Sequence, residues 1–242
     1  EKTGLGLMDC KKALEEANGD LDLAIEELRK TSGLKASKKS GRSAADGLIA
    51  IKSNGKDYFM IEVNCETDFV ARDDSYIKFT NETLNTFVDN SDKSLEDLLA
   101  EGIEENREKL VQKLGENIVV RRVAKTENST ITGSYLHSNN KIGCIISLEG
   151  GSEALANDIA MHVAATDPMA VSPNDIPEDV IAKEREIFKA QSEDSGKPPE
   201  IVKKMIEGKV SKFLSEVSLT EQDFVKDPNQ KISKLLDDNS AN

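Results

Sequence analysis

The stretch Leu48-Ile49-Ala50-Ile51-Lys52-Ser53-Asn54-Gly55-Lys56-Asp57-Tyr58-Phe59-Met60-Ile61-Glu62-Val63 sets two apolar-rich runs on either side of an Asn-Gly pair. Asn and Gly tolerate the positive φ that tight hairpin turns require, so the stretch predicts a β-hairpin turning at Ser53-Asn54-Gly55-Lys56. Directly after it, Cys65-Glu66-Thr67-Asp68-Phe69-Val70-Ala71-Arg72 leads into Asp73-Asp74-Ser75, a cap for a helix carrying Ile77, Thr80, Leu84, Phe87 and Val88. Strand, strand and helix in succession predict an α+β lobe. The connection can hold Asp68 and Phe69 at the tip of a turn. There the phenylalanine either tucks under the helix or anchors in a partner's pocket, where a rigid aromatic contributes most. The residues by themselves leave both open.

Toward the C-terminus, helices are expected over 95–100 and 103–114, the second closing on Gly115. Strands are expected over 118–123, 131–137 and 142–148, with a turn at Ser138-Asn139-Asn140. A helix over 152–166 would turn Leu155, Ile159, Val163 and Ala164 inward. The order strand, strand, helix thus occurs twice and suggests two related lobes. Helical patterns over 178–191 and 199–217 flank Ser195-Gly196-Lys197-Pro198 and read as an antiparallel helical hairpin reaching into solvent. A short helix ends near Asn239. Toward the N-terminus, Met8, Ala13, Leu14 and Ala17 form one helical stripe, and Asp20 can cap a second built on Leu21, Ala24, Ile25 and Leu28. Residues 29–42 are basic and small, without aromatics to stack on bases, and read as a solvated linker sooner than a nucleic-acid contact. The expected organisation is a helical module over 1–34, a basic linker over 35–46, an N-terminal lobe over 47–127 and a C-terminal lobe over 128–242 that includes the hairpin, 178–217.

Composition narrows the function. The 242 residues carry 32 Lys and Arg against 45 Asp and Glu, a net charge of −13, with 4% aromatics, no Trp and two His. An acidic, aromatic-poor chain suits a multi-lobed protein and argues against bulk nucleic-acid binding. Cys10, Cys65 and Cys144 form no CxxC pair, so neither a zinc site nor a disulfide framework is expected, and a reducing compartment fits. No run approaches the roughly 20 apolar residues that span a bilayer. His162, within Met161-His162-Val163-Ala164, reads as a core or boundary histidine. No P-loop or GxGxxG motif suggests direct nucleotide binding. The chain is therefore read as a non-enzyme with no catalytic residue, metal or cofactor.

Several motifs carry a resemblance. Glu62-Val63-Asn64-Cys65-Glu66-Thr67-Asp68-Phe69-Val70-Ala71-Arg72 resembles the central signature of the translation elongation factor Ts family. Thr3-Gly4-Leu5-Gly6-Leu7-Met8-Asp9-Cys10-Lys11-Lys12-Ala13-Leu14 resembles its amino-terminal signature. Ala17-Asn18-Gly19-Asp20, Ala44-Ala45-Asp46-Gly47, Gly115-Glu116-Asn117-Ile118, Arg121-Arg122-Val123, Met161-His162-Val163-Ala164-Ala165 and Ser195-Gly196-Lys197-Pro198 follow in family order. The resemblance implies an α+β fold with a ubiquitin-associated-like helical module, a two-lobed core of antiparallel sheets with helices, and a protruding helical hairpin. It also implies a helix before Thr3 and a strand after Asn239, so that the chain as written is expected to be short at both ends.

In function, the resemblance implies a guanine nucleotide exchange factor for the GTPase elongation factor Tu, bound in its GDP or nucleotide-free form, with no nucleic-acid or membrane partner. Bacterial cytoplasm is the default compartment, a mitochondrial or plastid matrix the alternative. Carried onto this sequence, Leu7, Met8 and Lys11 would contact the partner's GTPase domain. Thr67, Asp68, Phe69 and Val70 would form a tip, with Asp68 and Phe69 wedged beside the partner's magnesium-binding region. Leu114 and Gly115 would pack nearby, and His137 would press on the phosphate-loop side. The competing classes are a plain interaction module built on the helical domain and an RNA binder built on the basic linker.

Overall fold

The computed structural model describes residues 3, 5–126, 131–193 and 198–241. The chain gathers into two compact units, Glu1–Glu127 with Leu136–Ile145, and Asn128–Tyr135 with Ile146–Asn242. Each has its own apolar cluster, and the class is α+β.

The first unit opens with α1 (Leu7–Glu16) and α2 (Leu21–Lys39), joined by a tight turn in which Asn18 and Gly19 take positive φ. The Asp20 carboxylate caps α2 by accepting the N–H groups of Asp22 and Leu23, each at 3.0 Å, an interaction worth about 1 kcal/mol. Ala13, Ala17, Ala24 and Leu28 form a small cluster between the two helices. The expected linker over 35–46 is corrected here: α2 runs on through Lys39, and only Ser40–Ala45 lacks regular structure. Its later turns are held by α6 (Glu104–Leu114), where Ser32 bonds Gln112 and Arg29 pairs with Glu105. The small residues that suggested flexibility instead permit close helix packing. Accordingly, the helical segment belongs to the same compact unit as the first lobe.

The expected hairpin is present as β1 (Asp46–Ser53) and β2 (Tyr58–Cys65), antiparallel, with Asn54 Oδ1 accepting from Lys56 and Asp57 N–H in the turn. On the far side of β2 lies β3 (Val119–Lys125), with a bulge between Glu62 and Val63. Phe59, Ile61 and Val63 alternate inward along β2, as a half-buried strand requires. They meet a helix, α4 (Asp74–Asp89), capped by Asp73. Its buried face is Tyr76, Phe79, Thr80, Thr83, Leu84 and Phe87, with Phe87 edge-on to Phe59 at 5.5 Å between ring centres. Ile77, expected inward, is 37% exposed. Tyr76 takes the inward position because its hydroxyl donates to the Val63 carbonyl at 2.6 Å, which sets the rotation of the helix. Between β2 and α4 sits a single helical turn, α3 (Asp68–Ala71). The helix expected over 95–100 is shorter, α5 (Leu95–Leu98), and meets α6 across a kink at Glu101 and Gly102, where Gly102 takes φ 114°.

In the second unit, β4 (Ile131–Leu136) pairs with β5 (Gly143–Leu148), the tip of this hairpin being assigned to the first unit. The following helix, α7 (Glu153–Thr166), is capped by Ser152. Its inward residues are Leu155, Ala156, Ile159, Ala160 and His162, whereas Val163 and Ala164 are only half-buried. The element order of the first lobe does recur, but a two-stranded hairpin stands where the first has three strands. Next come α8 (Glu178–Glu193) and α9 (Pro199–Val217). Arg185 bonds Glu207, and Lys209 reaches Gln191 and lies over the Phe188 ring, so the two helices pack side by side. Most of the loop expected between them, residues 195–197, lies outside the described residues. A hairpin absent from the sequence reading, β6 (Asp223–Phe224) and β7 (Asp227–Lys231), precedes α10 (Ile232–Asp238). Phe224 and Ile232 complete the second core with Leu148, Leu155, Ile159 and Leu219.

Candidate partner-binding site

Local chemistry fixes the turn after β2. Thr67 takes an extended backbone and caps α3, its hydroxyl oxygen 3.5 Å from the Val70 N–H. Asp68 occupies the first helical position, where a carboxylate suits the positive end of the turn, and pairs with Arg72 at 2.8 Å. Val70 and Ala71 are buried in the core of the first unit. Phe69 lies between these anchors and points away from them, 81% exposed. Of the two readings left open by the residues, the structure shows the projecting one. An apolar ring held in water is unfavourable by the usual hydrophobic accounting, so its placement is notable. Val70, expected on the contact surface with its neighbours, is buried and acts as a foot for the turn.

Gly115, the left-handed C-cap of α6 at φ 81°, stands beside this tip. Its carbonyl accepts from the Lys39 ammonium. Next to it, the Glu116 carboxylate accepts the Glu66 N–H at 3.1 Å, the Thr67 N–H at 3.0 Å and the Thr67 hydroxyl at 2.6 Å. Leu114 is half-buried against the core. The structure therefore brings Thr67, Asp68, Phe69, Leu114 and Gly115 together. Sequence reasoning overlooked Glu116 as a structural partner, although it sits inside a quoted motif. The signal was a carboxylate directly after a helix-ending glycine, a position from which it can reach free backbone N–H groups.

The other expected residues reach the first unit by different routes. Leu7 and Met8, 85% and 75% exposed, open α1, and Lys11 pairs with Glu15 on the solvent side. On the same helix, Asp9 accepts from Gln112 of α6 and pairs with Lys35 of α2, which fixes the direction in which Leu7 and Met8 face. His137 is exposed at the β4–β5 tip, where its N–H donates to the Ile142 carbonyl and Asn140 takes φ 55°. That tip is tied to β1 by the Ile49 N–H donating to the Asn140 carbonyl at 2.6 Å and by Lys141 pairing with Asp46 at 2.8 Å. The Lys141 and Gly47 bonds hold the Asp46 carboxyl below its ordinary pKa.

The remaining reactive groups are internal. His162 is fully buried, with Nδ1 accepting the Val225 N–H at 3.2 Å and Nε2 3.0 Å from Gln222 Oε1. This arrangement requires the neutral ring with its proton on Nε2, and burial lowers its pKa despite the Gln222 bond. Cys65 is buried, its thiol pushed up to about 11 by desolvation. Among the described residues, no group of three or more His, Cys, Asp and Glu could hold a metal ion, and no helix is long and apolar enough to cross a membrane.

Comparison with known proteins now bears on this geometry. The family model described as Elongation factor TS matches residues 66–242. Elongation factor Ts of Hahella chejuensis is 52% identical over 238 residues, covering 98% of this chain and 83% of that protein. The Marinobacter nauticus protein of the same name is 52% identical over 238 residues, covering 98% and 82% respectively. That of Francisella tularensis subsp. novicida is 49% identical over 247 residues, covering 100% and 85%. With a family model matching most of the chain and half its residues shared with these bacterial proteins, this chain belongs to the elongation factor Ts family.

Proposed function

We propose that this protein is a guanine nucleotide exchange factor for elongation factor Tu in bacterial cytoplasm, acting through the Phe69 tip. The observation that carries the reading is an aromatic side chain 81% exposed on a single helical turn whose ends are both anchored. The backbone beneath the ring is already fixed, so entering a pocket costs the ring's own rotamer freedom and little chain ordering. Leu7 and Met8 on α1 supply a second apolar contact, against the partner's GTPase domain.

No bond is made or broken by the factor. GDP is held in a GTPase by magnesium and by backbone N–H groups that cradle its phosphates. Phe69, entering beside the magnesium-binding region with Asp68, displaces the elements that hold the ion, while His137 presses from the phosphate-loop side. Leu114 and Gly115 support the tip. Each charge-assisted hydrogen bond lost contributes about 1.5–3 kcal/mol, and each 1.4 kcal/mol is about tenfold in rate. Losing a few raises GDP release by orders of magnitude. Coupling is reciprocal: if the factor weakens GDP binding, GDP weakens factor binding equally, and incoming nucleotide then ejects the factor.

The test is a titration of elongation factor Tu carrying fluorescent GDP. Release should accelerate and saturate with added protein. Release that stays at its spontaneous rate at saturating protein would overturn the reading.

A further inference from the structure

We infer that Glu116 is a positioning residue for the Asp68-Phe69 tip, acting through a clasp of two crossed carboxylates. Its consequence for exchange rests on the function proposed above; its geometry does not. Glu116 accepts three donors from the loop after β2: the Glu66 N–H, the Thr67 N–H and the Thr67 hydroxyl. Glu66 in turn accepts the Asn117 N–H at 2.7 Å and has Arg42 at 3.5 Å. Each loop thus satisfies the backbone of the other with a carboxylate. Asn117 extends the fastening by donating from its side chain to the Ser40 and Arg42 carbonyls.

The Thr67 hydroxyl is the pivot. It has one proton, and that proton goes to Glu116 at 2.6 Å. Its lone pairs are then left to face the Val70 N–H and cap α3. Glu116 therefore orients the cap that starts the turn, and Phe69 follows two residues later. The opposite side of the turn is fixed by Val70 and Ala71 in the core. Between clasp and core, the Phe69 ring is aimed. Because Glu116 directly follows Gly115, the same carboxylate also locks the Gly115 corner to the tip.

A carboxylate is required. In Glu116→Gln, turning the amide so that its oxygen keeps the two backbone N–H groups sets the NH2 on the Thr67 hydroxyl, whose proton then loses its acceptor, and the charge that strengthens the three bonds is gone. The tip should loosen while the core stays folded. Amide hydrogen exchange on the parent and E116Q should show the Glu66 and Thr67 amides exchanging about tenfold faster in the variant, with the β1–β2 ladder unchanged. At saturating protein, E116Q should release GDP from elongation factor Tu at least about tenfold more slowly than the parent, the equivalent of one charge-assisted hydrogen bond. Phe69→Ala should cost less in the E116Q background than in the parent, since misplacement has already removed part of its effect. Thr67→Val, which deletes the hydroxyl at nearly constant volume, should reproduce the loss and serves as the probe if E116Q does not fold.

An active parent with an equally active E116Q would overturn the positioning role, as would equal Phe69→Ala costs in both backgrounds. Unchanged protection of the Glu66 and Thr67 amides would overturn the clasp itself. A parent that leaves GDP release unaccelerated would overturn the exchange reading and the role of Glu116 within it, while the exchange-protection result still reports on the clasp.

Discussion

Neighbouring residues in one turn can serve opposite ends, and Phe69 and Val70 do so. Phe69 is exposed, so Phe69→Ala should change stability by no more than about 0.5 kcal/mol, with a melting temperature close to the parent's. Leu84 provides the contrast. It lies in the core of the first unit, and Leu84→Ala should cost about 2–5 kcal/mol in denaturant unfolding. Gly47 has a different constraint: at φ 142° its ideal Cβ would stand 2.2 Å from the Val63 carbonyl oxygen. Gly47→Ala should destabilise by about 2 kcal/mol or more, through strain and forced separation of β1 from β2. The sequence could place Phe69 at a turn but could not choose between a buried and a projecting ring. That choice depends on which of two adjacent apolar side chains meets the core, and the core is assembled from β2, α4 and α6, distant in the chain.

Short-period patterns made the elements legible wherever one face alone meets the core. The β1–β2 hairpin and the capped helix α4 follow directly from alternation, an Asn-Gly turn and Asp73. The Ile77 misplacement arose because Tyr76 and Phe79 share the same helical stripe, and only the long-range bond to Val63 fixes which residues face inward. The β6–β7 hairpin was invisible because Asp227-Pro228-Asn229-Gln230-Lys231 has no apolar alternation. Two tests belong to elements of the second unit. Gly133 lets β4 approach α7, and an added Cβ would stand 2.6 Å from Ala156; Gly133→Ala should cost about 1–3 kcal/mol, measured by urea unfolding. His162 joins α7 to the Gln222–Val225 segment in its neutral form. Its folded pKa lies below the ordinary value of 6.5, so between those two values the unfolded chain binds a proton that the folded chain excludes. The stability contributed by the neutral ring should be complete above about pH 6.5 and decline as pH falls through the folded pKa. Denaturant midpoints across that range, compared with those of His162→Gln, should show the parent losing this increment and the variant lacking that part of the slope.

Across the whole molecule, chain order misleads about which residues belong together. The sequence reading divided the lobes in succession, yet Leu136–Ile145 is assigned to the first unit. The bonds of Ile49 to Asn140 and of Lys141 to Asp46, nearly a hundred residues apart in sequence, carry that assignment and leave no local pattern. The helical segment is likewise fastened to α6, so the exposed Leu7 and Met8, the Phe69 tip and His137 are all carried by one compact unit. A net charge of −13 repels the phosphates of nucleic acid at long range. The proposed exchange activity rests on a projecting aromatic on an anchored turn. The most direct measurement is the maximal rate of fluorescent GDP release from elongation factor Tu, at saturating concentrations of the parent and of Phe69→Ala. The parent should accelerate release, and the variant, equally stable, should lose at least about tenfold of that rate, 1.4 kcal/mol of barrier lowering; equal maximal rates would contradict the claim.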